Sequence, residues 1–374
     1  MEEARYMGFE DEGTRQAPQP RAAQDAGRAP AGRKDCGQGP QGASEQPPTR
    51  RVEQKQLTTF REFMQMLLPL PVMFIALGMT VGLPNVYPLD YVESFYPPFL
   101  IVSMVCYGVS IVVACFVPKL RNLIVKYSYL LAAIYAVIEV IDVLTLKTGV
   151  MLLPFAPSPD RVLEAVPTNI EQYVNNLAAS MVLLAEGIVA GLVTGFITGL
   201  LMGWSKIANY WFSPLLKFIG PVPSAAWLPI AIVLMPTSHL AGVLLIAVAI
   251  WFPLALMLSS AIRSTDKRKI EAARTMGASE TYILFHVAVP AAVPQIFDAL
   301  FMGLSASFGA LIVSEQLGVK AGLGWYINWA QAWGEYYKVF ATVGVFIIIF
   351  YILISLLFKL RDRVMKWQKS VIRW

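Results

Sequence analysis

The sequence predicts an all-α integral membrane protein of about eight transmembrane helices, and three observations predict it. The 374 residues are 56% hydrophobic and only 15% charged, with a mean hydropathy of +0.56, well outside the composition of soluble domains. Eight apolar runs, at about 64–83, 98–117, 124–146, 178–202, 214–235, 240–262, 291–313 and 339–358, approach the ~20 residues a helix needs to cross a bilayer. Lys and Arg gather on alternate linkers, which is the signature of cytoplasmic loops. The net charge of +5 follows from that clustering and comes with no nucleic-acid motif, so no nucleic-acid partner is expected. Cys36, Cys106 and Cys115 lack metal or disulfide spacing, and His239 and His286 lie far apart, so neither a metal nor redox chemistry is expected.

Residues 1–60 form the first element. "GTRQAPQPRAAQDAGRAPAGRKDCGQGPQGASEQPPTR" is too poor in large apolar side chains to fold, and reads as a disordered tail without a signal core. Arg50, Arg51, Lys55 and Arg61 place it inside, and the next linker, with Asp90 and Glu93 and no basic residue, lies outside. Lys119, Arg121 and Lys126 join runs two and three on the inside. Lys206 and Lys217 do the same for runs four and five, and Arg263, Lys267, Arg268, Lys269 and Arg274 for runs six and seven. Lys359, Arg361, Arg363, Lys366, Lys369 and Arg373 put the C-terminus on the same face. Both termini are therefore expected in the cytoplasm.

Run four carries Gly187, Gly191, Gly195, Gly199 and Gly203, a stripe at helical spacing that suits close approach of a second helix. Run five opens with "GPVPSAAWLP", where Pro221, Pro223 and Pro229 each lack a backbone donor, so the helix must start late, kink or break. Ser224 and Trp227 lie in that stretch, and Trp251 precedes Pro253 in run six. Irregular backbone at membrane depth is tolerated where protein or a wet cavity satisfies it. These residues are therefore path candidates, with simple proline kinks as the other reading. The carboxylates inside spans are Glu139, Asp142, Glu186 and Asp298, with Glu315 at the outer end of run seven. Such groups are functional candidates by cost, or else hydrogen-bond to neighbouring helices, and for Glu186 the two readings stand side by side. Trp325, Trp329 and Trp333, at steps of four, predict a short interfacial helix with an aromatic stripe.

Between runs six and seven, "RSTDKRKIEAARTMGASETYILFHVAVP" predicts a charged helix, a left-handed turn at Gly277, and a second helix capped by Ser279 that reaches the next span at Pro290. Ala272 and Ala273 leave so little bulk that a partner's groove could grip this elbow, with Glu271 and the basic residues fixing its orientation.

Glu271-Ala272-Ala273, three residues including Met276, Gly277, nine residues, then Val287-Ala288-Val289-Pro290 resembles the EAA loop of inner-membrane permeases in binding-protein-dependent ABC importers. "PSPDRVLEAV", "GPVPSAAWLPIAIVL" and "SEQLGVKAGLGWYI" are similar to the nitrate, sulfonate, taurine and bicarbonate branch of these type I permeases. The resemblance implies a six-helix permease core over residues 121–374, with its coupling loop at 263–290 and a two-helix hairpin added at 61–120. It also implies a permease that pairs, as a homodimer, with ABC ATPase subunits inside and a substrate-binding protein outside, in a bacterial plasma membrane. The branch's frequent arginines in runs four and seven are Leu183 and Phe301 here, so an anion site is not carried over with the resemblance. No GxxxxGK[ST] phosphate loop occurs, so ATP and Mg²⁺ are expected on the partner ATPase.

A secondary transporter coupled through Glu186 or Asp298 is the main alternative, but no inverted repeat supports it. An intramembrane enzyme would need motifs such as HExxH or GxSxG, which the chain lacks.

Overall fold

A computed structural model of the chain describes residues 61–86, 94–151 and 153–366. The N-terminal tail to residue 60, the stretch with Asp90 and Glu93, and Lys369 and Arg373 lie outside the described residues. No strand occurs among those described. The elements are α1 (Arg61–Gly82), α2 (Tyr96–Phe116), α3 (Pro118–Lys147), α4 (Pro159–Thr168), α5 (Ile170–Trp204), α6 (Lys206–Ile219), α7 (Ser224–Leu234), α8 (Ser238–Arg263), α9 (Lys267–Thr275), α10 (Glu280–Leu317), α11 (Leu323–Ala332) and α12 (Tyr336–Val364). Seven described helices are long and apolar enough to cross a membrane, and α6 with α7 makes an eighth if that bent pair is one span.

The fifth run breaks at its prolines, one of the outcomes their missing donors allow, and it begins before residue 214. Its helix starts at Lys206, stops at Ile219, and resumes at Ser224 after a turn of 92°. Gly220, Pro221, Val222 and Pro223 fill the break, and the prolines supply no N–H to continue the ladder. Run six behaves differently, because α8 passes through Pro253 without interruption and buries it. Several basic residues assigned to linkers lie in helices instead. Val117 alone separates α2 from α3, so Lys119, Arg121 and Lys126 occupy the first turns of α3. Lys206 and Lys217 lie within α6.

Three long helices form the main core. Along α5 the five glycines face α8: a Cβ at Gly187 would overlap Ile246, one at Gly191 would lie 2.7 Å from the Ala247 carbonyl oxygen, and one at Gly203 2.7 Å from Ile262 Cβ. The matching order of partners makes α5 and α8 parallel, with backbones close enough for extensive dispersion contact. On the other side of α8, Gly303 of α10 meets Ile250 and Ser314 meets Gly242, an antiparallel crossing.

The first three helices pack chiefly with one another. Met73, Ala76, Tyr96, Leu100 and Tyr135 form one shared cluster of α1, α2 and α3, so these helices make a three-helix bundle. Polar contacts tie both of its ends, with Tyr107 donating to the Met66 carbonyl at 2.9 Å at one of them. Asp160 Oδ1 accepts from Phe95 N and Tyr96 N, both at 2.7 Å, and caps α2. Lys147 Nζ donates to the carbonyls of Thr80 (2.7 Å) and Leu83 (2.8 Å) at the end of α1. Tyr96 donates to Glu139 Oε2 at 3.1 Å, and Asp142 is fully enclosed nearby.

Candidate translocation groove and coupling elbow

An open groove of about 510 Å³ lies between α5, α6 and α8, with Met235 beside it. Ala190 and Thr194 of α5, Leu215 and Ile219 of α6, and a strip of α8 from Leu240 to Trp251 line it. The 92° break places the end of α6 and the residue after α7 on the same wall, which a straight fifth helix could not do. Trp251 lines the groove and donates its indole N–H to Thr198 Oγ1 at 3.0 Å.

Glu186 lies one helical turn above Ala190, and its Oε2 is 2.7 Å from His239 Nε2, near the start of α8. The two side chains are 49% and 43% exposed, so the pair remains open to solvent. His239 was not singled out by sequence. The available signal was its position at the start of run six, at the same depth as Glu186 on the neighbouring helix.

The other path candidates divide. Pro221 and Pro223 are exposed in the break, and Ser224 begins α7 half-buried. Trp227 packs against the main core and tilts against Phe218 at 6.3 Å between ring centroids, without lining the groove. Glu315, grouped by sequence with the path residues, is instead wholly buried. Its Oε2 accepts the Gly324 N–H at 2.7 Å, and a side chain at Gly322, whose φ is +136°, would overlap its carboxyl. The carboxylate thus holds the turn into α11, and these glycines make room for it. The tryptophans likewise do not form one exposed stripe: Trp325 and Trp329 pack partly against the core, and Trp333 follows the last residue of α11.

The elbow is α9, a Schellman turn and the start of α10. Asp266 Oδ1 accepts Arg268 N at 3.0 Å and caps α9. At the other end Ala278 N donates to Ala273 O (3.1 Å) and Gly277 N to Arg274 O (2.9 Å), with Gly277 at φ +84°. That double bond and left-handed residue are the Schellman pattern, which strains any residue with a Cβ at Gly277. Ser279 accepts Tyr282 N at 3.3 Å and starts the second helix. Arg274 then closes the elbow with two bonds to Glu280, of 2.8 and 3.0 Å. The hydrogen bond and charge of Glu280 raise the guanidinium above its already high ordinary pKa.

Pro290 does not mark a junction between the elbow's second helix and the span. The π turn at Leu284–Ala288 runs into a helix starting at Val289, so α10 continues from Glu280 to Leu317. A wider turn ahead of a proline relieves the clash of its ring with the preceding carbonyls. The elbow's second helix thereby runs on into a core helix. On its outer surface Glu271, Ala272 and Met276 are exposed, the last to 81%, while Ala273 is buried. A cleft of about 340 Å³ is lined by Trp204, Lys267, Ile270, Glu271, Arg274 and Glu280. Arg263, at the elbow's other root, donates to Asn209 of α6 at 2.7 Å. Elbow motion can therefore reach both α6 and α8, which wall the groove.

Residues 187–366 match the family model for the binding-protein-dependent transport system inner membrane component. The taurine transport system permease protein TauC of Escherichia coli (strain K12) is 29% identical over 191 residues, covering 49% of this chain and 70% of that protein. The nitrate import permease protein NrtB of Synechocystis sp. is 25% identical over 182 residues, covering 46% and 66%. A solved amino acid ABC transporter matches with a TM-score of 0.44 and 20% identity, over 58% of this chain and 99% of that one. The family is one of transporter permeases, not of enzymes, and its members work with ATPase and substrate-binding partners. The secondary-transporter reading is not favoured. Residues 187–366 are thus those of a binding-protein-dependent inner-membrane permease, and the chain is the multi-pass membrane subunit of an ABC importer.

Proposed function

We propose that two copies of this permease pair across their α5, α6 and α8 grooves to form a path for a small solute, with both termini cytoplasmic in a bacterial plasma membrane. A substrate-binding protein delivers the solute from outside. Each elbow sits in a groove of a cytoplasmic ATPase, and the ATPase binds ATP and Mg²⁺. Closure of the ATPases swings α9, and the continuous α10 and tethered α8 carry that displacement to the groove. The observation that carries this reading is the elbow itself: a capped helix with small or exposed residues outward, clamped by Arg274 and Glu280 and rooted in two core helices. Taurine and nitrate are the cargoes in the names of two relatives, so the solute is a small molecule of that size range or another small organic molecule.

Glu271→Lys and Gly277→Asp test the coupling role. Each variant should insert normally and lower ATP-driven uptake at least about tenfold, within the usual range of coupling energies. Wild-type uptake by both would remove the elbow from the mechanism.

A further inference from the structure

We infer that the transported solute is an organic molecule with an apolar body and a hydrogen-bond-donating amine, recognised by Glu186 at the mouth of the groove. The inference rests on the groove being the path and deepens that reading.

Charge is the first argument. None of the residues lining the groove is Lys or Arg. One turn above it stands Glu186 with His239 at 2.7 Å. With the carboxyl ionised, the pair sums to −1 if the imidazole is neutral and to zero if it is protonated. With the imidazole neutral an anion meets repulsion and a cation is drawn in, and with it protonated the pair favours neither sign.

The donor inventory gives the second argument. An anion sheds hydration only where donors replace it, because an unpaired polar group is costly in an apolar site. The polar groups of this wall are already used as donors: Trp251 N–H on Thr198, Thr198 O–H on the Thr194 carbonyl at 2.8 Å, and Thr194 O–H on the Ala190 carbonyl at 2.7 Å. The buried, unpartnered indole N–H of Trp227 does not line the groove. What the groove mouth offers is an acceptor, the half-exposed carboxylate. Leu240, Val243, Leu244, Ala247 and Trp251 below it suit a carbon skeleton.

The test uses the full permease with its ATPase in nanodiscs and two probes with the same ring and opposite charge, 2-phenylethylamine and 3-phenylpropionate. Equilibrium binding of the amine should exceed that of the carboxylate by about tenfold, the sum of attraction for one and repulsion for the other. Glu186→Gln should erase most of that preference and Glu186→Arg should invert it, while His239→Gln should retain it. Equal or tighter carboxylate binding by the wild type, a preference untouched by Glu186→Gln, or no binding of either probe at millimolar concentration would overturn the inference. Co-purification of the ATPase and ATP-driven uptake are scored separately. Their loss counts against the importer mechanism proposed above, whereas ATP-driven uptake of an anion counts only against the amine.

Discussion

The α5–α8 seam and the α1–α3 bundle are both built from apolar helices, yet they are held together in opposite ways. Across the seam there is almost no side chain on the α5 side: glycines bring its backbone onto Ala247, Ile250, Leu254 and Leu258 of α8. In the bundle, Gly78 and Gly108 have nothing within 4 Å of where a Cβ would stand. Polar groups tie the ends instead, through Asp160 on α2 and Lys147 on α1. Among the described spans α8 is the most enclosed, with 56% of its most apolar stretch buried. Identical residue types thus mean different things. A glycine is a contact surface where a neighbouring backbone meets it, and only a weak point in a helix where nothing does.

That contrast is breakable by substitution. Gly191→Val places carbon against the Ala247 carbonyl and should cost about 3 kcal/mol, the upper end of overpacking. Size-exclusion profiles and ATPase co-purification should show loss of the folded permease. Asp160→Ala removes the acceptor from two backbone N–H groups of α2 and should cost about 2 kcal/mol, as strong N-caps do. Proteolytic susceptibility near residues 94–96 would register it, with the elbow's Schellman turn unaffected. Lys147→Met frees the carbonyls at the end of α1 and should cost about 1 kcal/mol, read as a lowered unfolding temperature. Gly78→Ala is the smallest change and has the opposite sign. Open space at an exposed helical position should let it stabilise α1 by about 0.5 kcal/mol. If Gly191→Val and Gly78→Ala behaved alike, the distinction between seam and bundle would fail.

The features legible in the sequence were those set by local spacing. The spans followed from apolar length, and Gly277 and Ser279 announced a turn and a cap that appear at φ +84° and 3.3 Å. The spacing of Gly187 to Gly203 put one bare face on one helix, although nothing local named α8 as its partner. What stayed hidden depends on residues distant in the chain. Glu186 and His239 are 53 positions apart, Asp160 caps a helix 64 residues earlier, and α3 joins α1 and α2 through a cluster no periodicity displays. Glu315 and Pro290 misled because a carboxylate or a proline in a span looks irregular until its surroundings are known. One was absorbed by a glycine turn and the other by a π turn.

The central claim is that α9 is the surface through which the ATPase moves the permease. Its most direct test is cross-linking from a single cysteine, after replacing Cys36 and the exposed Cys106 and Cys115. Met276→Cys, on the exposed tip of the elbow, should cross-link to the ATPase with a yield that changes on ATP binding, while Phe74→Cys on the exposed face of α1 should not. Absence of a Met276→Cys cross-link in a complex that still co-purifies with its ATPase would contradict the account.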